Sequence, residues 1–279
     1  VATRRRTIVG SPLTPTLLKE LGVFDELPAA QRDFAPDGTW SHTYRVWACH
    51  GYRETGNRDV GFLRIERAPD RAGKTFTLKV DQQIVHAEGA ANSIHADIEC
   101  LNDRLGSPVR WHLSSRFVGT EGEPRPVLRV EERARIEGDT IEVTTNGRTF
   151  KRQGSSRLTA DWCLFEALQR LPFEKESHPV FDLLEGLSVL RTGHRLSYRG
   201  TVKLPPEGDI MLHGFHRLGH GALPYEYWLD ERHRLVMVVS LSRAYVLDKE
   251  AEQATALELK RERGNFQRQK RGRERGGSQ

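Results

Sequence analysis

The chain has 279 residues, 29% of them charged, and a formal net charge of +5. Its mean hydropathy is −0.60, and it holds no run of about 18 apolar residues, which excludes a membrane-spanning helix. The charge is unevenly placed: residues 260–279 carry +6 and leave about −1 for residues 1–259, so a whole-chain argument for a specific nucleic-acid partner fails.

The N-terminal extension, residues 1–38, opens on Arg5-Arg6-Thr7-Ile8-Val9. This has the pattern of a twin-arginine export signal, and an ordinary basic N-terminus is the alternative. Residues 10–18 include Pro12 and Pro15, and Pro28-Ala29-Ala30 is the nearest approach to a cleavage site. Residues 14–22 read as a short helix. Thr14 caps it, Pro15 suits its first turn and Gly22 stops it. Loop follows to residue 38.

From Trp40 the apolar period becomes two. Phe76, Leu78 and Val80 alternate with Thr77, Lys79 and Asp81, and Ile94, Ala96, Ile98 and Cys100 with His95, Asp97 and Glu99. Trp111, Leu113 and Phe117 continue the pattern, as do Leu196, Tyr198 and Val202. Such strands predict an antiparallel sheet with one wetted face. Turns fall at Asp70-Arg71-Ala72-Gly73, Glu137-Gly138-Asp139 and Asp230-Glu231-Arg232-His233. One helix interrupts the strands near 161–171. Asp161 is its expected cap, Leu164, Phe165, Leu168 and Leu171 fall at helical spacing, and Pro172 ends it. The fold class is therefore mainly β over residues 39–248: a single curved antiparallel sheet, or half-barrel, wrapping a short helix. Residues 249–279 are Arg-rich and poor in apolar side chains, and are expected to be a disordered tail, with 250–263 as a transient helix.

Each chemical motif has a plain structural alternative. Residues 68–75 match a permissive phosphate-loop pattern, but the alternating strand at 75–80 predicts a hairpin turn instead. His213, His216 and His220 would share a face on a helix, yet Gly214, Gly219 and Gly221 argue against one, and on a strand His213 and His216 point apart. Cys49-His50 is half of a haem-attachment motif, with Val46 where the first Cys is needed. No motif calls for a cofactor. Cys49, Cys100 and Cys163 are widely spaced and form no C-x-x-C; they allow one disulfide and read more simply as buried thiols. His95, Asp97 and Glu99 share one strand face, where they suit either general acid–base work or solvation. The basic tail can make weak electrostatic contact with anionic surfaces, but Phe266 is its one aromatic, which gives base stacking little support.

The densest aromatic stretch is Leu223-Pro224-Tyr225-Glu226-Tyr227-Trp228-Leu229-Asp230, followed by a turn and Arg234-Leu235-Val236-Met237. This hairpin resembles the closing hairpin of the lipoprotein-carrier-like superfamily, in which a curved antiparallel sheet wraps a helix and forms an apolar groove. The resemblance implies a periplasmic or secreted protein of the bacterial envelope. It also implies a non-catalytic binder of an apolar or lipid-like small molecule in the concave face. Trp111, Tyr225, Tyr227 and Trp228 are the candidate ligand-lining residues, on aromatic content. The rival readings are an enzyme using His95, Asp97, Glu99 or the histidines at 213–220 in a sheet cleft, and an interaction scaffold acting through the tail.

Overall fold

A computed structural model describes residues 7–8, 13–20, 22–24, 27, 33–49, 57–174, 179–204 and 210–276. Arg5-Arg6 and Pro28-Ala29-Ala30 lie outside these residues, as does His50.

The N-terminal segment contributes β1 (Thr7–Ile8) and α1 (Pro15–Glu20). The Thr14 hydroxyl accepts the Leu17 N–H at 3.2 Å, and Gly22 takes φ +70° just past the helix, as its sequence predicts. The meander then runs through β2 (Trp40–Ala48), β3 (Asn57–Pro69), β4 (Thr75–Val85), β5 (Ala91–Leu101) and β6 (Pro108–Val118). It continues through β7 (Val130–Glu137), β8 (Thr140–Thr145) and β9 (Arg148–Gln153). A short strand β10 (Leu158–Ala160) leads into α2 (Asp161–Ala167), which tightens into a 3₁₀ turn at Leu168–Arg170. A second meander follows: β11 (Phe181–Glu185), β12 (Val189–Leu204), β13 (Ile210–Leu218), β14 (Tyr225–Leu229), β15 (Leu235–Ser240) and β16 (Arg243–Leu247).

These strands form one sheet in the order β10-β11-β12-β13-β14-β15-β16-β2-β3-β4-β5-β6-β7-β8-β9, with β1 added against β3. The pairing of β10 with β11 is parallel; the other neighbours are antiparallel. The two meanders meet where β16 pairs with β2, Tyr245 opposite Val46. The sheet does not close into a true barrel. Its far ends approach through side chains instead: Arg152 on β9 donates to the Ser188 and Leu187 carbonyls at 2.5 and 3.3 Å. The Thr159 hydroxyl on β10 donates to the Leu105 carbonyl at 2.7 Å.

Alternation in the sequence becomes a face in the fold. Arg67, Leu78, Ile98, Trp111, Ala134 and Val143 are successive register partners across β3 to β8, and this row is buried. Lys79, Asp97 and His112 occupy the neighbouring row on the convex side. Gly61 lets β3 and β4 approach closely, since a Cβ there would collide with the Gln83 carbonyl.

The helix lies against the concave face. Every residue of α2 from Trp162 to Ala167 is buried. Phe165 meets Tyr44 of β2 and Tyr245 of β16 edge-on, each at 5.4 Å between centroids, and Cys163 Sγ lies 3.6 Å from Cys100 Sγ of β5. Asp161 is not the cap its position in the sequence predicts. Ala160, in extended conformation, precedes the helix, and Asp161 is its first residue.

The tail also departs from expectation. Residues Ala251–Gly276 form a helix, α3, where a disordered segment was expected across 249–279. It docks on the rest of the chain through buried Ala251 and Thr255 and the Arg64–Glu252 pair at 2.7 Å. Arg263 Nε donates to the Gly89 carbonyl at 3.0 Å, and Lys270 pairs with Glu121 at 2.5 Å. Ala, Glu, Lys, Arg and Gln are good helix formers, and these mainly polar contacts hold the helix in place.

Candidate functional site

Arg67 and Arg217, both buried in the concave interior, have opposite surroundings. Every side-chain nitrogen of Arg67 has a partner. Its Nε donates to Glu166 Oε1 at 2.7 Å, its Nη1 to the Asp37 and Gly38 carbonyls, and its Nη2 to Asn102 at 3.1 Å. Its guanidinium lies 4.4 Å from the centre of the Phe76 ring. Glu166 in turn accepts from Arg170 at 2.6 and 2.9 Å. This closed network ties α2 to β3.

Arg217, on β13, has no such network. It is 2% exposed, yet its Nε and Nη1 have no hydrogen-bond partner in the protein. His194, at β12, is 0% exposed, and neither of its ring nitrogens has a partner. Together they hold four of the nine buried side-chain nitrogens left without a partner among the described residues. A buried unsatisfied donor costs ~1–3 kcal/mol, so this concentration is expensive. Both side chains line a cavity of about 170 Å³, along with Tyr225, Leu183, Leu223 and Ser242. The Glu185–Arg191 pair, 3.1 Å apart and half exposed, belongs to the same lining.

Strand ends build this site. Arg217 is the register partner of both Leu196 and Tyr225, so it shares the concave face with them, and its guanidinium lies 4.1 Å from the centre of the Tyr225 ring. Gly219 leaves room for the His194 ring, which a Cβ there would strike. Burial, reinforced by the positive field of Arg217, lowers the His194 pKa to about 4, so the ring is neutral at pH 7. Burial raises the Asp161 carboxyl to about 6, against the hydrogen bond from the Gly186 N–H and the field of Arg217. That Gly186 bond reaches Oδ2 at 3.1 Å, and the Trp162 N–H reaches Oδ1 at 3.0 Å.

The four aromatic candidates do not form one cluster. Trp111 is buried on β6 and donates from Nε1 to Glu132 Oε1 at 2.8 Å. Tyr225 and Tyr227 are neighbours on the concave face, 6.2 Å apart, with Tyr227 buried in the core and Tyr225 lining the cavity. Trp228 points to the convex side and packs over Gly214. Arg217 and His194 were not among the candidates. The available signal was a charge two residues from apolar Phe215, at the same strand parity.

The polar groups of the convex face are arranged differently. His95 Nδ1 lies 2.8 Å from Asp81 Oδ1 and its Nε2 3.4 Å from Asp97 Oδ2, and Arg64 Nη2 holds Asp81 at 2.7 Å. The hydrogen bond to Asp81 raises the His95 pKa. Glu99 pairs with Arg110 instead, at 2.5 Å. A shallow depression of about 340 Å³ over Asp81, His95, Ser114 and Arg116 is open to solvent, so water screens these charges. His213, on the concave side with Phe215, stacks on Phe173 at 3.7 Å and bonds the Tyr198 hydroxyl at 2.9 Å. No group of three or more potential metal ligands occurs among the described residues. Residues 68–75 form the β3–β4 turn rather than a phosphate loop.

No protein-family profile matches the chain, and no curated protein matches it. Among solved structures, the fold is similar to that of a β-barrel-like protein of domain of unknown function DUF1849 from Brucella abortus. The TM-score is 0.50 at 10% identity, and the match covers 76% of this chain and 96% of that one. The similarity is one of β-sheet architecture.

Proposed function

We propose that this is a non-catalytic binding protein of the cell envelope that takes a ligand with an apolar part at the open end of its curved sheet. The observation that carries the reading is the cavity where Arg217 and His194 present buried nitrogens without partners. Elsewhere the concave face is packed by α2 and by side chains such as Phe173, so the ligand meets the protein at the strand ends rather than along the whole groove. Exposed Leu223 belongs to the cavity lining, and exposed Leu218 and Leu241 stand at the nearby strand ends; these offer apolar surface beside a polar pocket. Tyr225 joins the two. The envelope placement rests on the twin-arginine pattern at Arg5-Arg6 and on the lipoprotein-carrier-like resemblance.

The test is purification of the full chain from its host, followed by solvent extraction and mass spectrometry. A stoichiometric apolar or amphiphilic molecule is expected, released by heat denaturation. Repeated recovery of ligand-free protein, with no change in melting temperature across a panel of amphiphiles, overturns the reading.

A further inference from the structure

The chemistry of the mouth cavity narrows the ligand further. We infer that the ligand is a carboxylate amphiphile, a monoanion whose head group is held by Arg217 and His194 and whose alkyl chain leaves over Leu223. This rests on the reading of the cavity as the binding site.

Three observations select a carboxylate. First, the groups without partners are mostly donors. A guanidinium has donors and no acceptor, and Nε and Nη1 of Arg217 have no acceptor in the protein. Its guanidinium rests instead on the face of Tyr225. The complementary head group is one that accepts hydrogen bonds and carries negative charge. The neutral His194 ring adds one donor and one acceptor, so it serves either a carboxylate oxygen or a hydroxyl beside it.

Second, the charge around the cavity limits the head to a single negative charge. Arg217 and Arg191 are the cations in its lining, and Arg191 is already paired with Glu185. Asp161 is buried and feels the field of Arg217, and Asp182, which accepts the Gly193 N–H at 3.4 Å, acts on His194. A dianion such as phosphate would meet one uncommitted guanidinium and three nearby carboxylates.

Third, the size separates head from tail. The cavity of about 170 Å³ equals the share of roughly five or six water molecules in the liquid, at about 30 Å³ each. It holds a carboxylate and the first carbons of a chain. A longer chain must pass out along Leu223, whose side chain is half exposed. By the register of Tyr225 with Arg217 and Ser240, Leu218 and Leu241 flank the start of β14.

The closing experiment uses the full chain and four probes: octanoate, octanol, acetate and inorganic phosphate, titrated by calorimetry at pH 7. Octanoate is expected to bind at least tenfold more tightly than octanol or acetate. In Arg217→Met the advantage of octanoate over octanol is expected to vanish while octanol binding persists. Equal binding of octanoate and octanol to the unaltered chain overturns the carboxylate assignment and leaves the binding site standing, and this comparison does not depend on any variant folding. Phosphate binding more tightly than octanoate also overturns it. Failure of all four probes overturns both the assignment and the site. Arg217→Lys keeps the charge without the planar fork, and a retained preference of a few-fold or more for octanoate is expected there.

Discussion

Replacing Arg67 and Arg217 in turn by methionine separates an arginine that holds the fold from one that serves a site. Arg67 is bonded to Glu166, two backbone carbonyls and Asn102, and packs on Phe76. Arg67→Met leaves Glu166 buried with Arg170 as its remaining partner. Breaking a buried pair costs ~3–5 kcal/mol, and the surviving Arg170 bonds place this case near ~3 kcal/mol. For a domain of 150–250 residues each kcal/mol shifts the melting temperature by roughly 2–4 °C, so a loss of about 6–12 °C is expected. Arg217→Met removes two unsatisfied buried donors, each costing ~1–3 kcal/mol, and loses one cation–π contact worth ~1 kcal/mol together with the attraction of Asp161. Its melting temperature is expected to stay level or rise. The assay is a thermal melt of the full chain at pH 7, followed by circular dichroism. If Arg217→Met falls as far as Arg67→Met, Arg217 is a structural residue and the argument from its empty donors collapses.

The remaining predictions use the same melts and one labelling experiment. Asp161 holds its proton more tightly in the folded chain than in the unfolded one. Its stabilising protonated form is therefore complete below about pH 4 and lost as pH rises through 6. The rise from 3.8 to about 6 is worth ~3 kcal/mol, and Asp161→Asn should flatten the melting profile between about pH 4 and 6; an unchanged slope contradicts the assignment. His194 has the opposite sign. Its depressed pKa makes stability complete above pH 6.5 and lost as pH falls toward 4, so His194→Gln should resist acid better than the parent chain. Deleting residues 249–279 should lower the melting temperature, because Ala251 and Thr255 are buried; an unchanged melt would show that α3 is not docked in solution. Cys49 is half-buried and its thiol is pushed up to about 11 by burial, so it should alkylate slowly in the native state, while buried Cys100 and Cys163 require denaturant; equal labelling of all three, read by peptide mass spectrometry, would contradict the packing.

Much of the fold was legible because each strand has one wet and one dry face, and that contrast is written locally as a period of two. Phe76, Leu78 and Val80 needed no partner to reveal their side. The helix at 161–171 was legible from its own spacing, and the turns at 70–73 and 230–233 from their residues. What remained hidden depends on partners distant in the chain. The C-terminal helix combines good helix formers with a composition that also describes disorder, and contacts such as Arg263 with Gly89 decide between them. Cys100 and Cys163 are 63 residues apart in sequence and 3.6 Å apart in space.

The same division explains the two arginines. By itself, the sequence determined that residues 39–248 fold as alternating strands around one helix, and it singled out neither Arg67 nor Arg217. Only the tertiary structure decided that Glu166 of α2 meets Arg67 while no carboxylate bonds Arg217. Periodicity is a property of neighbouring residues, whereas satisfaction of a buried charge depends on which distant atoms arrive within about 3 Å.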